Sequence, residues 1–167
     1  ILKESGDNKP ILSSSRTLTM ARHIIIGASG IGGALARQLS SSGHELHLIG
    51  RNNDAIASLA AELRATYALA DVRDMGALEK AVQDAGSMVD GLAYCVGSIN
   101  LKPAHRTTDK DVLDDFEINA LGALRAVRAA LPALKASSST TASIVLFSTV
   151  AVGQGFVPIS GPPSTGN

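Results

Sequence analysis

The chain has 167 residues, of which 45% are hydrophobic and 18% charged, and its 15 Lys plus Arg balance its 15 Asp plus Glu. That size suits one globular domain, and a zero net charge with only 3% aromatic residues argues against a nucleic-acid-binding protein. The single cysteine excludes an internal disulfide and any multi-cysteine metal site. No apolar run approaches the roughly 20 residues of a membrane span. We therefore expect a cytoplasmic protein without metal, membrane or nucleic-acid partners.

The two ends differ in composition from the middle. Residues 1–19 are polar and Ser-rich without an apolar signal segment, so they are expected to be a disordered leader. Residues 153–167 contain several prolines and no charged side chain, which predicts an irregular tail. The segment 20–152 is then the folded domain.

Within the domain, short apolar runs alternate with helical periodicity. Strands are predicted at 22–26, 44–49, 65–70, 88–96 and 143–148. The strongest helical pattern is the stripe Leu113, Phe116, Ala120, Leu124, Val127 and Leu131. Strands that are apolar throughout and separated by helices predict a parallel sheet covered on both faces. The expected fold is a doubly wound, Rossmann-like α/β sheet with strand order 3-2-1-4-5.

A glycine-rich loop lies between the first strand and the first helix. Gly27, Gly30 and Gly33 fit the spacing G-x-x-G-x-x-G, with Ser29 and Ile31 inside the same loop. In a dinucleotide site the first glycine allows a tight turn, the second lets the backbone approach the pyrophosphate, and the third lets helix and strand pack closely. The helix N-terminus then attracts the phosphates. The alternative is a glycine-rich turn that binds no ligand.

The end of the second strand bears on which dinucleotide would bind. An NAD site usually places an acidic residue here to hold the ribose 2′-hydroxyl, but the chain has Gly50 followed by Arg51. The Arg51 guanidinium suits a 2′-phosphate, which predicts that NADP(H) is preferred over NAD(H). The alternative is a solvated arginine at the start of a helix.

Together these motifs resemble the N-terminal part of a short-chain dehydrogenase/reductase. The resemblance rests on the glycine loop, the Asp71-Val72 pair, Asn119 within F-E-I-N-A-L-G, and the strand ending in Ser148-Thr149, all in family order. It implies a carbonyl or alcohol substrate, with Asp71 and Val72 at the adenine and Asn119 holding a proton-relay water. Thr149, or otherwise Ser148, would orient the substrate carbonyl.

Two departures from the family pattern limit what the resemblance implies. The family's N-N-A-G signature is replaced by Tyr94-Cys95-Val96-Gly97, in which only Gly97 is kept. The family's catalytic Tyr-x-x-x-Lys does not occur, because Tyr67 is followed four residues later by Asp71, and Tyr94 by Ser98. The chain as written is therefore not expected to catalyse the reaction.

Three hypotheses follow. The chain is a fragment or frame-shifted product of a reductase that ends after the fifth strand, or a non-catalytic dinucleotide-binding module, or a non-redox Rossmann-like enzyme such as a methyltransferase. For the fragment we expect the uncharged strand 143–148 to form an open sheet edge, which favours aggregation or a homo-oligomer.

Overall fold

The computed structural model describes residues 20–149, so the predicted leader and tail lie outside the described part. The elements alternate along the chain. The strands are β1 (Arg22–Ile26), β2 (Glu45–Gly50), β3 (Thr66–Leu69), β4 (Gly91–Tyr94) and β5 (Ser143–Leu146). The α-helices are α1 (Gly30–Ser41), α2 (Asn53–Leu63), α3 (Met75–Gln83), α4 (Asp109–Phe116) and α5 (Gly122–Lys135).

The five strands form one parallel sheet in the order β3-β2-β1-β4-β5, as the sequence predicts. In register, Ile26 of β1 lies between Ile49 of β2 and Tyr94 of β4. All four strand pairs are parallel, so the strands end at the same edge of the sheet. No helix among residues 20–149 is long and apolar enough to cross a membrane.

Apolar side chains cover both faces of the sheet. On one face α1 and α2 pack Ala36, Ile56 and Leu59 against Ile25 and Leu48. On the other face, the residues from the sheet and from α3 and α5 include Ile24, Ile26, Leu92, Leu78, Val82, Ala126 and Ala130. Strands buried on both faces read as continuous apolar runs, which is why the sequence signal for β1, β2 and β4 is clear.

The edge strand β5 has the same length as β4, but its residues are exposed where those of β4 are buried. It pairs with β4 alone among the described strands, and Ile144, Val145 and Leu146 are each about half exposed. The predicted apolar edge is therefore present in this part of the chain.

The predicted long helix is present, but it is not α-helical throughout. Between α4 and α5 the segment Glu117–Leu121 forms a wider π-helical turn, which continues the helix without a break. Tyr94 at the end of β4 donates a hydrogen bond of 2.5 Å from its hydroxyl to the Ile118 carbonyl in this turn. A Cβ on Gly122 would collide with the same hydroxyl, so the buried tyrosine favours glycine there.

A buried histidine joins the second face of the sheet to α3. His47 of β2 is 2% exposed, with Nε2 2.9 Å from the Ala81 carbonyl and Nδ1 2.8 Å from the Thr66 hydroxyl. The carbonyl contact requires a proton on Nε2, so in the neutral ring the hydroxyl donates to Nδ1. Burial lowers the pKa of His47 below its ordinary value, because charging the ring in the core is costly.

We expect Tyr94→Phe to lower the free energy of unfolding by about 1–3 kcal/mol, because it leaves the Ile118 carbonyl without its donor. Tyr94 is 3% exposed, whereas Tyr67 on β3 is 42% exposed and provides a matched control. Tyr67→Phe should change the stability by less than about 0.5 kcal/mol. Urea denaturation of both variants measures the difference, and equal effects would contradict the structural role of the Tyr94 hydroxyl.

The lowered pKa of His47 predicts acid-sensitive stability. Below the ordinary value of 6.5 the unfolded chain takes up a proton that the folded ring resists, so unfolding becomes easier as the pH falls. Burial lowers the pKa of His23 as well, which acts in the same direction. We expect the melting temperature to fall between about pH 7.5 and about pH 5.5. His47→Gln should make that fall shallower, and an equally steep profile in the variant would refute the assignment.

Candidate active site

The turn after β1 is built from glycines that the packing requires. Gly27 has φ +87°, and a Cβ on it would lie 2.8 Å from Val96 Cγ2 and 2.9 Å from the Cys95 carbonyl carbon. Its N–H donates to the Ile49 carbonyl at 2.8 Å, which ties the turn to the end of β2. At Gly27 the turn therefore lies directly against the end of β2 and the chain that leaves β4, with no side chain between them.

The closest approach between helix and turn occurs at Gly32, and Gly33 also lies close to the turn. A Cβ on Gly32 would collide with the Gly27 carbonyl oxygen and lie 3.0 Å from Cys95 Cβ, whereas one on Gly33 would lie 3.1 Å from the Ala28 carbonyl oxygen. The G-x-x-G-x-x-G spacing predicts close packing at Gly33 but gives no role to Gly32, because spacing alone does not show which glycine lies nearest to the neighbouring backbone.

The N-terminus of α1 is unlike those of α2, α3 and α4. In these three helices the cap side chains of Asn52, Asp74 and Thr108 accept a hydrogen bond from the first turn. The cap of α1, Ser29, makes no such bond, and the first turn of α1 contains no acidic residue. The N–H groups of Gly32 and Gly33 bond the Ser29 carbonyl, and no side chain of the first turn neutralises the positive end of the helix dipole, which can therefore attract an anion.

A pocket of about 630 Å³ lies at the carboxyl ends of β1 to β4. The predicted cofactor residues that line it are Gly27, Ser29, Arg51, Asp71, Val72 and Gly97. Gly30 and Ile31 form the exposed start of α1 beside the pocket, and Gly33 follows them in the same helix. Such a crevice outside the strand ends is where ligands bind in open α/β sheets.

Charged groups gather at the end of the pocket formed by the loops after β2 and β3. Asp71 accepts hydrogen bonds from the Arg73 guanidinium at 2.7 Å and from the Arg73 N–H at 2.9 Å. The guanidinium of Arg51 lies 3.6 Å from the same carboxylate. The hydrogen bonds from Arg73, with the nearby charges of both arginines, lower the pKa of Asp71 to about 2. Asp71 is therefore ionised at neutral pH.

The loop after β4 is fixed to the long helix by two side chains. Asn119, in the π-helical turn, accepts from the Ser98 N–H and donates to the Ser98 carbonyl, both at 2.8 Å. Asp115 accepts from the Ser98 hydroxyl at 2.6 Å and from the Asn100 N–H at 2.9 Å. These bonds hold Gly97 and Ser98 at the pocket wall. Asn119 is predicted from its motif, whereas Asp115 and Ser98 are not predicted, because neither belongs to a motif.

The remaining predicted residues lie nearer to the sheet edge. Ser148 and Thr149 follow β5 and are exposed, outside the set that lines the pocket. Cys95 lies in the pocket wall, where burial raises the pKa of its thiol and so disfavours the reactive thiolate.

The residues present fit a dinucleotide. The turn carries no side chain at Gly27, and no cap side chain covers the N-terminus of α1. The Arg51 guanidinium lies at the rim of the pocket, where the adenosine ribose of such a ligand would sit. The pocket has the volume usual for a cofactor site.

The chain is similar to known proteins in both sequence and fold. The family described as short chain dehydrogenase matches residues 22–161. The 3-dehydrosphinganine reductase TSC10A of Arabidopsis thaliana is 33% identical over 140 residues, which are 78% of this chain and 43% of that protein. The chain thus spans less than half the length of this curated relative.

Two solved structures share the fold. An alcohol dehydrogenase from the archaeon Thermococcus sibiricus, complexed with 5-hydroxy-NADP, has a TM-score of 0.67 and 29% identity over 71% of this chain and 55% of that one. Actinorhodin polyketide ketoreductase with NADPH has a TM-score of 0.63 and 27% identity over 68% of this chain and 47% of that one. With its family match over most of its length and a parallel sheet in the same order as predicted, the chain belongs to the short-chain dehydrogenase/reductase family.

Proposed function

We propose that the chain is the dinucleotide-binding part of an NADP(H)-dependent oxidoreductase that interconverts a carbonyl and an alcohol. The observation that carries the choice of cofactor is Arg51, which lines the pocket beside a carboxylate already bonded by Arg73. The position before it is Gly50, so no acidic side chain at the end of β2 faces a ribose 2′-hydroxyl. An arginine in place of the usual acidic residue at the end of this strand favours a 2′-phosphate.

The roles of the other residues follow from their places around the pocket. Gly27, Gly30 and the first turn of α1 would hold the pyrophosphate, while Asp71 and Val72 would contact the adenine. Gly97 would face the ligand where Asn119 fixes the loop after β4. When bound, a nicotinamide cofactor supplies or accepts a hydride.

The substrate side is proposed from the family and from the order of the strands. Ser148 and Thr149 follow β5, which neighbours β4, so one of their hydroxyls would orient a substrate carbonyl next to the loop of Gly97. Asn119 would hold a water through its main chain, because its side-chain amide is bonded to Ser98. The similar proteins, a 3-dehydrosphinganine reductase, a polyketide ketoreductase and an alcohol dehydrogenase, support a carbonyl or alcohol substrate.

A second candidate is a module that binds the cofactor without turnover. It is favoured by the tyrosines of this chain: Tyr94 is buried and bonded to the Ile118 carbonyl, and neither Tyr94 nor Tyr67 has a lysine four residues later. Burial, together with the charge of Asp71, raises the pKa of Tyr94 to about 12, so this phenol is a poor proton donor to a substrate. The methyltransferase alternative has no support from the family match.

Binding and turnover assays distinguish the two candidates. NADPH, NADH and S-adenosylmethionine are titrated by calorimetry, and NADPH oxidation is then followed with a panel of ketones. If the first candidate is right, the chain binds NADPH, and the protein that contains this chain oxidises NADPH with a ketone. Tight NADPH binding without turnover on any ketone would favour the non-catalytic module, and preferential binding of S-adenosylmethionine would refute both.

Arg51→Ala tests the choice of cofactor. The variant should lose the interaction with the 2′-phosphate and reduce the ratio of NADPH to NADH affinity by about ten- to a hundredfold. Arg106→Ala is the matched control, because Arg106 is an exposed arginine outside the pocket lining. Calorimetric titration of both cofactors gives the ratio, and an unchanged ratio in Arg51→Ala would show that Arg51 does not select the cofactor.

A further inference from the structure

Two arginines face one carboxylate at the rim of the pocket, and they contact it differently. Arg73 binds Asp71 through Nη2 at 2.7 Å, through Nε at 3.1 Å and 3.3 Å from the two oxygens, and through its own N–H at 2.9 Å. Arg51 is 3.6 Å from Asp71 Oδ2, beyond the length of a hydrogen bond, and its side chain is 64% exposed. The carboxylate is thus occupied by Arg73 and only approached by Arg51.

The two arginines also differ in their access to the pocket. Arg51 and Asp71 line it, whereas the set of lining residues does not include Arg73. The Arg73 carbonyl accepts a hydrogen bond from Arg125 of α5 at 3.2 Å, and Arg125 pairs with Glu117 at 3.1 Å. The backbone of Arg73 is therefore held against the long helix, and Arg73 lies outside the pocket lining.

We propose that Arg73 is a specificity-determining positioning residue: by occupying Asp71 it leaves the Arg51 guanidinium available for the 2′-phosphate of NADP(H). This proposal rests on the proposed function. Without Arg73, Asp71 would be an uncompensated carboxylate next to Arg51, and Arg51 would pair with it. The 2′-phosphate of NADP(H) would then compete with the Asp71 carboxylate for the Arg51 guanidinium. The affinity for NAD(H), which lacks that phosphate, would not change.

The test is the ratio of NADPH to NADH affinity in Arg73→Ala, measured by calorimetry on the folded protein. The ratio should fall about fivefold, the effect of one charge interaction at about 4 Å in water. If Arg73 only stabilises the local structure, the variant should bind both cofactors more weakly by the same factor, and the ratio should not change. Arg37→Ala is the matched control, because Arg37 makes an equally bidentate pair with Glu62, at 2.8 Å for both bonds, away from the pocket lining.

A double-mutant cycle shows whether Arg73 acts through Arg51. In the Arg51→Ala background, Arg73→Ala should change the ratio by less than about twofold. An effect of the same size in both backgrounds would mean that Arg73 contacts the phosphate itself, and the proposal would be wrong. An unchanged ratio in the single variant Arg73→Ala would also overturn it.

Failure of the proposed function gives a different result. Adenosine 2′,5′-bisphosphate and AMP serve as probes that carry the adenine end alone. If the wild-type protein binds neither these nor NADPH, or if Arg51→Ala leaves the ratio intact, the proposed function fails and the role of Arg73 fails with it. If Arg51→Ala abolishes the preference while Arg73→Ala does not alter it, only the role of Arg73 is refuted.

Discussion

The site depends on the contact between the turn after β1, the first turn of α1 and the chain that leaves β4. A Cβ on Gly27 would meet Cys95 and Val96, and a Cβ on Gly32 would meet the Gly27 carbonyl. With both glycines in place, α1 can begin directly above the end of β1, where its N-terminus points across the pocket. Side chains at these two positions would force α1 and the chain after β4 away from the turn.

The sequence predicts the sheet well because the sheet is the most uniformly buried part. Apolar runs mark β1, β2 and β4, and their alternation with helices leaves a doubly wound order as the natural topology. The apolar signal for β3 is weaker than that for the buried strands. This strand lies at the other edge of the sheet, and most of its residues are exposed. The π-helical turn was not predicted, because one wider turn hardly disturbs a stripe of apolar residues spaced three and four apart.

The site is predicted less completely than the fold. Motif spacing identifies Gly27, Arg51, Asp71 and Gly97, which the structure brings to one pocket. Arg73 and Asp115 are not identified, because an arginine or aspartate outside a motif looks like any solvated charge until its partner is known. Tyr94 appears in the sequence only as a departure from the family signature. In the structure its hydroxyl donates a hydrogen bond to the π-helical turn. Comparing the sequence with the family signature does not reveal this contact.

The two ends of the pocket are held by the same helix. At one end, Arg125 of α5 donates to the Arg73 carbonyl and pairs with Glu117 in the π-helical turn, which fixes the loop that carries Asp71. At the other, Asn119 of the same turn binds both main-chain groups of Ser98 after β4. A π-helical turn places residues on a face that an α-helix of the same sequence would rotate away. The turn therefore lets one helix reach the loops after β3 and β4 at once, so that short contacts within the described fold position these two loops relative to each other.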